Sequence, residues 1–170
     1  VLGFEKDLDW FRTRISEKFE VKFWGRVGPA ASDDKRIRIL NRGIEWTETG
    51  IRYEPDRRHA ELMIQALGLD TTSNGVVTPT TKIELKEKDE VLNSIMATMY
   101  RAITARGLYL SQDRSDIQYA IKEASRSMSS PKRSDWEKLK RIGRYLLDKK
   151  RYVIHYPYQE EVQKLETWVD

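Results

Sequence analysis

The sequence predicts an α+β fold with a mixed helix-and-strand part over residues 1–54, a mainly helical part over 55–151 and a strand-like tail over 152–170. Three observations predict it. Apolar residues alternate with charged ones between Phe19 and Trp24 and again between Arg36 and Tyr53, the period of half-buried strands. From Met96 to Leu146 the apolar spacing changes to threes and fours, the period of helices packed on one face. Between the two regimes, Asp70 to Leu85 holds Thr, Ser, Asn, Gly and Pro79, which reads as an irregular connector.

Taken in order, Asp7 to Phe19 is an expected helix, because Leu8, Phe11, Ile15 and Phe19 fall on one face that needs a platform. Phe19 to Trp24 is an expected strand, and Gly28 to Asp34 a loop. Arg36 to Leu40 resumes strand-type sequence. Ile44 to Trp46 and Ile51 to Tyr53 form an expected hairpin around Thr47-Glu48-Thr49-Gly50. Pro55 suits the first position of the next helix, Asp56 complements its positive dipole end, and Gly68-Leu69 is the pattern of a left-handed C-terminal cap.

Beyond the connector, Met96, Tyr100 and Ile103 mark a helix that runs to the polar break Ser111-Gln112-Asp113-Arg114. Ser115-Asp116-Ile117-Gln118 and Ser134-Asp135-Trp136-Glu137 both match the capping box, so each serine is an expected N-cap. The first of these helices presents Ile117, Ala120, Ile121, Ala124 and Met128 and stops before Pro131. The second presents Leu139, Ile142 and Leu146. Tyr152 to Tyr156 is strand-like and Val162 to Val169 is one further candidate strand.

Composition narrows the function classes. The 170 residues carry a net charge of +4 with 39% apolar and 34% charged residues, enough for a modest core. No apolar run spans a bilayer, and Glu5, Lys6 and Asp7 break the N-terminal apolar residues at once, so neither a membrane-spanning helix nor a secretory signal is expected. Zero cysteines remove disulfides, thiolate nucleophiles and zinc fingers. His59 and His155 are too few for a histidine-rich metal site and read as structural or surface residues; Asp33-Asp34 reads as an exposed loop. No phosphate-cradling glycine loop or nucleophile elbow is present. Charge distribution is more telling than its total: Arg101 to Arg151 holds 14 basic residues against 6 acidic ones, a local excess of +8, which suits a helical surface facing phosphates.

Tyr100-Arg101, Gly107-Leu108-Tyr109-Leu110, Arg114-Ser115-Asp116-Ile117, Ser125-Arg126, Pro131, Trp136, Lys140-Arg141-Ile142 and Arg144-Tyr145-Leu146 occur in the order found in the reverse transcriptase of copia-type LTR retrotransposons. The stretch resembles the region between the polymerase palm and ribonuclease H, most closely in divergent protist elements such as those of dinoflagellates, with Ser115 in place of the usual Pro. More weakly, residues 7–24 are similar to the helix and strand after the catalytic Tyr-x-Asp-Asp hairpin. The pair Ile37 to Tyr53 is similar to the primer-grip hairpin, with Ile39-Leu40-Asn41-Arg42 where the family has Phe-Leu-Gly. Leu165 to Asp170 looks like the first ribonuclease H strand.

The resemblance implies a palm remnant with a hairpin over 1–54, a helical thumb or connection over 55–151 and the start of ribonuclease H over 152–170. It implies that the polymerase carboxylates and their Mg2+ lie upstream of Val1, so that this chain has no cofactor of its own and does not polymerise alone. Asp170 would be the first ribonuclease H metal ligand, without its partner carboxylates. The expected partners are an RNA–DNA or RNA duplex and the remaining polymerase and ribonuclease H parts. The expected nucleic-acid-binding residues are Asn41, Arg42, Arg101, Arg106, Arg114, Lys122, Arg126, Lys140, Arg141 and Arg144. The alternative from another class is a degenerate or co-opted module that binds protein, for which exposed Trp24, Trp46 and Trp168 would be the anchors.

Overall fold

The computed structural model describes residues 3–70, 72–81 and 89–159. It turns the two periodicities into α1 (Glu5–Ser16), β1 (Arg36–Ile39), β2 (Arg42–Thr47), β3 (Gly50–Glu54), α2 (Arg57–Ala66), α3 (Ser94–Ser111), α4 (Ser115–Ser125), α5 (Arg133–Asp148) and β4 (Ile154–Pro157). The α+β expectation holds at that level. The candidate strand Val162 to Val169, the carboxylate of Asp170 and Trp168 lie outside the described residues.

Helices α2 to α5 share one core. Tyr100, Ile117, Ile121, Leu139, Ile142 and Leu146 are fully buried there with Met63. Each helix meets the core through its three-and-four stripe, and two glycines let the helices approach closely. A Cβ on Gly107 would stand 2.5 Å from Ile121, and one on Gly143 2.5 Å from Leu67. Gly68 ends α2 at φ +66, with Leu69 N–H donating to the Ile64 carbonyl and Gly68 N–H to that of Gln65, the paired bonds of a Schellman cap. Pro55 stands two residues ahead of the first helical position, Arg57, because Asp56 is the N-cap and accepts from Arg58 N–H at 2.9 Å.

Neither predicted capping box forms. Ser115 and Ser134 lie inside the first turns, after the cap positions taken by Arg114 and Lys132. The reason is competition. The Ser115 hydroxyl lies 3.5 Å from that of Tyr152, and the Ser134 amide and hydroxyl both donate to Asp89, 45 residues away in sequence. Asp135 does reach back, accepting from Lys132 N–H at 3.1 Å. The serine hydrogen bonds lower the carboxyl pKa of Asp89.

The strands form one antiparallel sheet in the order β1-β2-β3-β4. In the registers Ile37↔Ile44↔Tyr53↔Ile154 and Arg36↔Glu45↔Arg52↔His155, one face is apolar and the other charged. Leu40 and Asn41 join β1 to β2 with φ of +49 and +65, the two positive values a type I′ turn requires. Strand β4 belongs to the tail in the sequence division, yet it hydrogen-bonds to β3 of the first part. Arg151, just before it, holds Glu54 through two hydrogen bonds of 3.0 and 3.2 Å.

The N-terminal segment departs most from expectation. Helix α1 buries no residue, and Phe19 to Trp24 forms no strand; Phe19, Phe23 and Trp24 are exposed. A period-two sequence becomes a strand only where a free sheet edge pairs with it, and among the described residues nothing pairs with this one. Arg26 ties the segment to α1 through Glu5 at 2.9 Å and through Asp9.

Candidate nucleic-acid interface

Two of the residues expected to face phosphate are consumed inside the fold. Arg114 is 1% exposed. Its Nε and Nη2 donate to both oxygens of Asp116 at 2.8 and 2.7 Å, and Nη1 donates to the Lys149 carbonyl at 3.0 Å. Tyr145 donates to the same carboxylate at 2.9 Å, and the Tyr152 ring covers the guanidinium at 4.6 Å. Burial alone would raise the Asp116 carboxyl, but the Arg114 hydrogen bonds and charge outweigh it and hold the group below its ordinary pKa. The same carboxylate and burial push Tyr145 up to about 12, burial being the larger cause. This arrangement joins the start of α4 to the end of α5.

Arg42 is bound in a similar way. Its Nε donates to Asp113 at 2.7 Å and Tyr53 donates to the other oxygen at 2.6 Å, so β2 and β3 are fastened to the end of α3. Burial, then Asp113, raises the Tyr53 hydroxyl to about 12. Asn41 beside it is exposed at the hairpin tip.

The other expected residues reach the surface in separate places. Arg101 donates to the Met128 carbonyl at 2.8 Å and keeps an exposed guanidinium; Arg106, five residues on, lies about 140° round α3 from it. Lys140 and Arg144 share one flank of α5. Lys122 is exposed on α4, while Arg126 and Arg141 converge on the groove between α4 and α5. That groove encloses about 320 Å³. Lys138 joins them there, tethered to Asp135 at 3.0 Å, and Glu123 is the carboxylate on the same wall. The connector lies along α5, where Arg141 Nη2 donates to Thr78 Oγ1 at 3.0 Å and Pro79 to Thr81 form the lip of the groove.

A second cleft, lined by four arginines with Glu54, Asp56 and Glu61, is not evident from the sequence. Arg36, Arg38, Arg57 and Arg58 surround a cavity of about 490 Å³ between the β1–β2 turn and the start of α2, with Asn41 on its rim. Arg36 leans on Glu54 at 3.3 Å and Arg57 on Glu61 at 3.6 Å. The signal was present, since Arg36 and Arg38 share a strand face and Arg57-Arg58 opens a helix at the other end of the hairpin. Lys138 was missed because its spacing to Arg141 says nothing of what α4 places opposite.

His59 packs its ring on Tyr109 at 4.6 Å, and His155 lies 3.3 Å from the Thr49 carbonyl. Among the described residues, no three His, Cys, Asp or Glu side chains gather as a metal-binding group, and no helix is long and apolar enough to cross a membrane. Comparison with protein-family models, curated proteins and solved structures finds no match to this chain.

Proposed function

We propose that the chain positions template–primer duplex as part of a copia-type RNA-directed DNA polymerase, without supplying catalytic carboxylates. The observation that carries this reading is the convergence of Arg126, Lys138 and Arg141 from two helices on one groove, with Lys122 beside it. Cations held on rigid helices neutralise phosphates without reading sequence, which is what duplex handling requires. The resemblance supports it in a particular way. Tyr100, Arg114, Ile117, Pro131, Ile142 and Leu146 all belong to the matching motif and are fully buried. The apolar part of the motif thus packs α3 to α5, while its cations Arg126 and Arg141, with Lys138, stand at the groove on the outside of that unit. In this reading the partners are an RNA–DNA or RNA duplex and the remaining parts of the polymerase, which would also supply the Mg2+ chemistry.

The test is binding to a labelled RNA–DNA hybrid between about 50 and 200 mM salt, where phosphate contacts predict a steep fall in affinity. The R126A/K138A/R141A variant should bind more weakly at every sequence, with a shallower salt dependence. A folded wild-type chain that fails to bind at the lowest salt would overturn the reading. A second reading, a module that docks on protein, is favoured by a different observation: Phe4, Trp10, Phe19 and Trp24 are 62–83% exposed.

A further inference from the structure

The α4–α5 groove is too narrow for a duplex, which can only lie across its rim. Its volume of about 320 Å³ is at the lower end of the range for small-molecule sites, about 300–1,000 Å³. The floor is made by Ala120 and Ala124, one helical turn apart and both buried, so the depression exists because α4 places two small side chains opposite Ile142. At the rim stands Tyr119, whose ring is 65% exposed. Exposure of that size is unusual for a ring beside an apolar floor, and it leaves an aromatic face free.

The polar groups around this ring are incompletely engaged. Among the described residues, Arg126, with its side chain 72% exposed, holds only Glu123, at 3.3 Å, and Arg141 lines the groove with Nη2 holding Thr78 and a buried Nε that has no hydrogen-bond partner. Glu123 offers a carboxylate that accepts from an amine. An aromatic face, two guanidinium groups and one acceptor around a small apolar floor match a nucleotide: the base stacks, its exocyclic amine meets the carboxylate, and the phosphate meets the arginines.

We propose that the α4–α5 groove binds one unpaired, amine-bearing nucleotide, with its base on Tyr119, its exocyclic amine on Glu123 and its phosphate between Arg126 and Arg141. This rests on the nucleic-acid reading above and adds to it a single-stranded site next to the duplex surface. The sources of such a nucleotide are a strand running past the end of the duplex and a free nucleoside monophosphate.

The test uses the full chain and an RNA–DNA hybrid with a short adenine overhang carrying one 2-aminopurine, compared with the blunt hybrid. Wild type should bind the overhang hybrid more tightly and quench the 2-aminopurine on binding. Y119A should lose the quench and about tenfold of the overhang preference, Y119F should keep both, and each should bind the blunt hybrid like wild type. Because Tyr119 is exposed, both variants should keep the wild-type melting temperature. Relief of the quench by adenosine monophosphate assigns the site to a free nucleotide, and no relief assigns it to the strand; either upholds the site. Normal binding of the blunt hybrid with no quench, or a quench unchanged in Y119A, overturns this inference and leaves the duplex reading standing. Binding of neither hybrid overturns both.

Discussion

Helices α1 and α5 carry the same kind of pattern and meet opposite fates. In α1, Leu8, Phe11 and Ile15 are spaced by three and four; in α5, so are Leu139, Ile142 and Leu146. None of the α1 residues is buried, whereas all three in α5 are at most 1% exposed. Periodicity thus specifies a face that requires a partner, and the rest of the chain decides whether one exists. For α5 the partners are α2, α3 and α4, each presenting its own stripe. For α1 the described residues offer the Arg26 ion pairs and the Phe23 ring, 4.4 Å from the Arg12 guanidinium, and nothing that covers its apolar stripe. The helical unit holds the stability of the protein, and the N-terminal segment contributes surface.

That contrast can be broken most severely at the buried ion pair. Arg114→Ala should cost about 3–5 kcal/mol, because it strands the Asp116 carboxylate in a site it shares with Tyr145. Trp10→Ala on α1 should change stability by less than about 0.5 kcal/mol, and urea unfolding of the two variants measures the difference. A core truncation comes next. Leu139→Ala should lose about 2–5 kcal/mol through transfer and cavity, whereas Phe11→Ala should lose little. Smaller still is Gly107→Ala, whose methyl would press on the tip of Ile121 at 2.5 Å and on Met63 at 3.2 Å; overpacking of that kind costs about 1–3 kcal/mol.

The pH dependence sharpens the same division. Asp116 and Glu54 have depressed carboxyl pKa values in the folded state, Asp116 through Arg114 against its own burial and Glu54 chiefly through Arg151. Their stabilisation is present above the ordinary carboxylate pKa and is lost as pH falls through the depressed values. Tyr53, Tyr100 and Tyr145 are raised to about 12, mainly by burial. Their contribution is complete below the ordinary tyrosine value near 10 and disappears as pH rises toward about 12. Thermal melting across pH should therefore show stability falling at both ends. Replacing Glu54 with Gln should soften the acid limb by removing one of the depressed carboxylates.

Much of the fold was legible because its signals are local. The Gly68 cap, the Thr47–Gly50 turn and the helix stripes from Met96 to Leu146 depend on residues a few positions apart. What failed depends on residues far apart. The Phe19–Trp24 alternation lacks a strand edge to pair with, and the Ser134 cap position is displaced by Asp89. The site suffered from the same limit. An arginine that pairs inward reads like one that faces solvent, so the sequence does not separate Arg114 and Arg42 from Lys122, Arg126 and Arg141. Arg36, Arg38, Arg57 and Arg58 are not legible as a group because only the packed hairpin brings them around one cleft.

The proposal that nucleic acid meets the helical unit at the α4–α5 groove and its rim is tested by hydrogen exchange of the full chain with and without a saturating RNA–DNA hybrid. Slowed exchange is expected over residues 119–126 and 138–144, while residues 5–24 exchange at the same rate in both states. Protection confined to residues 5–24, with the groove unchanged while the hybrid is bound, would contradict it.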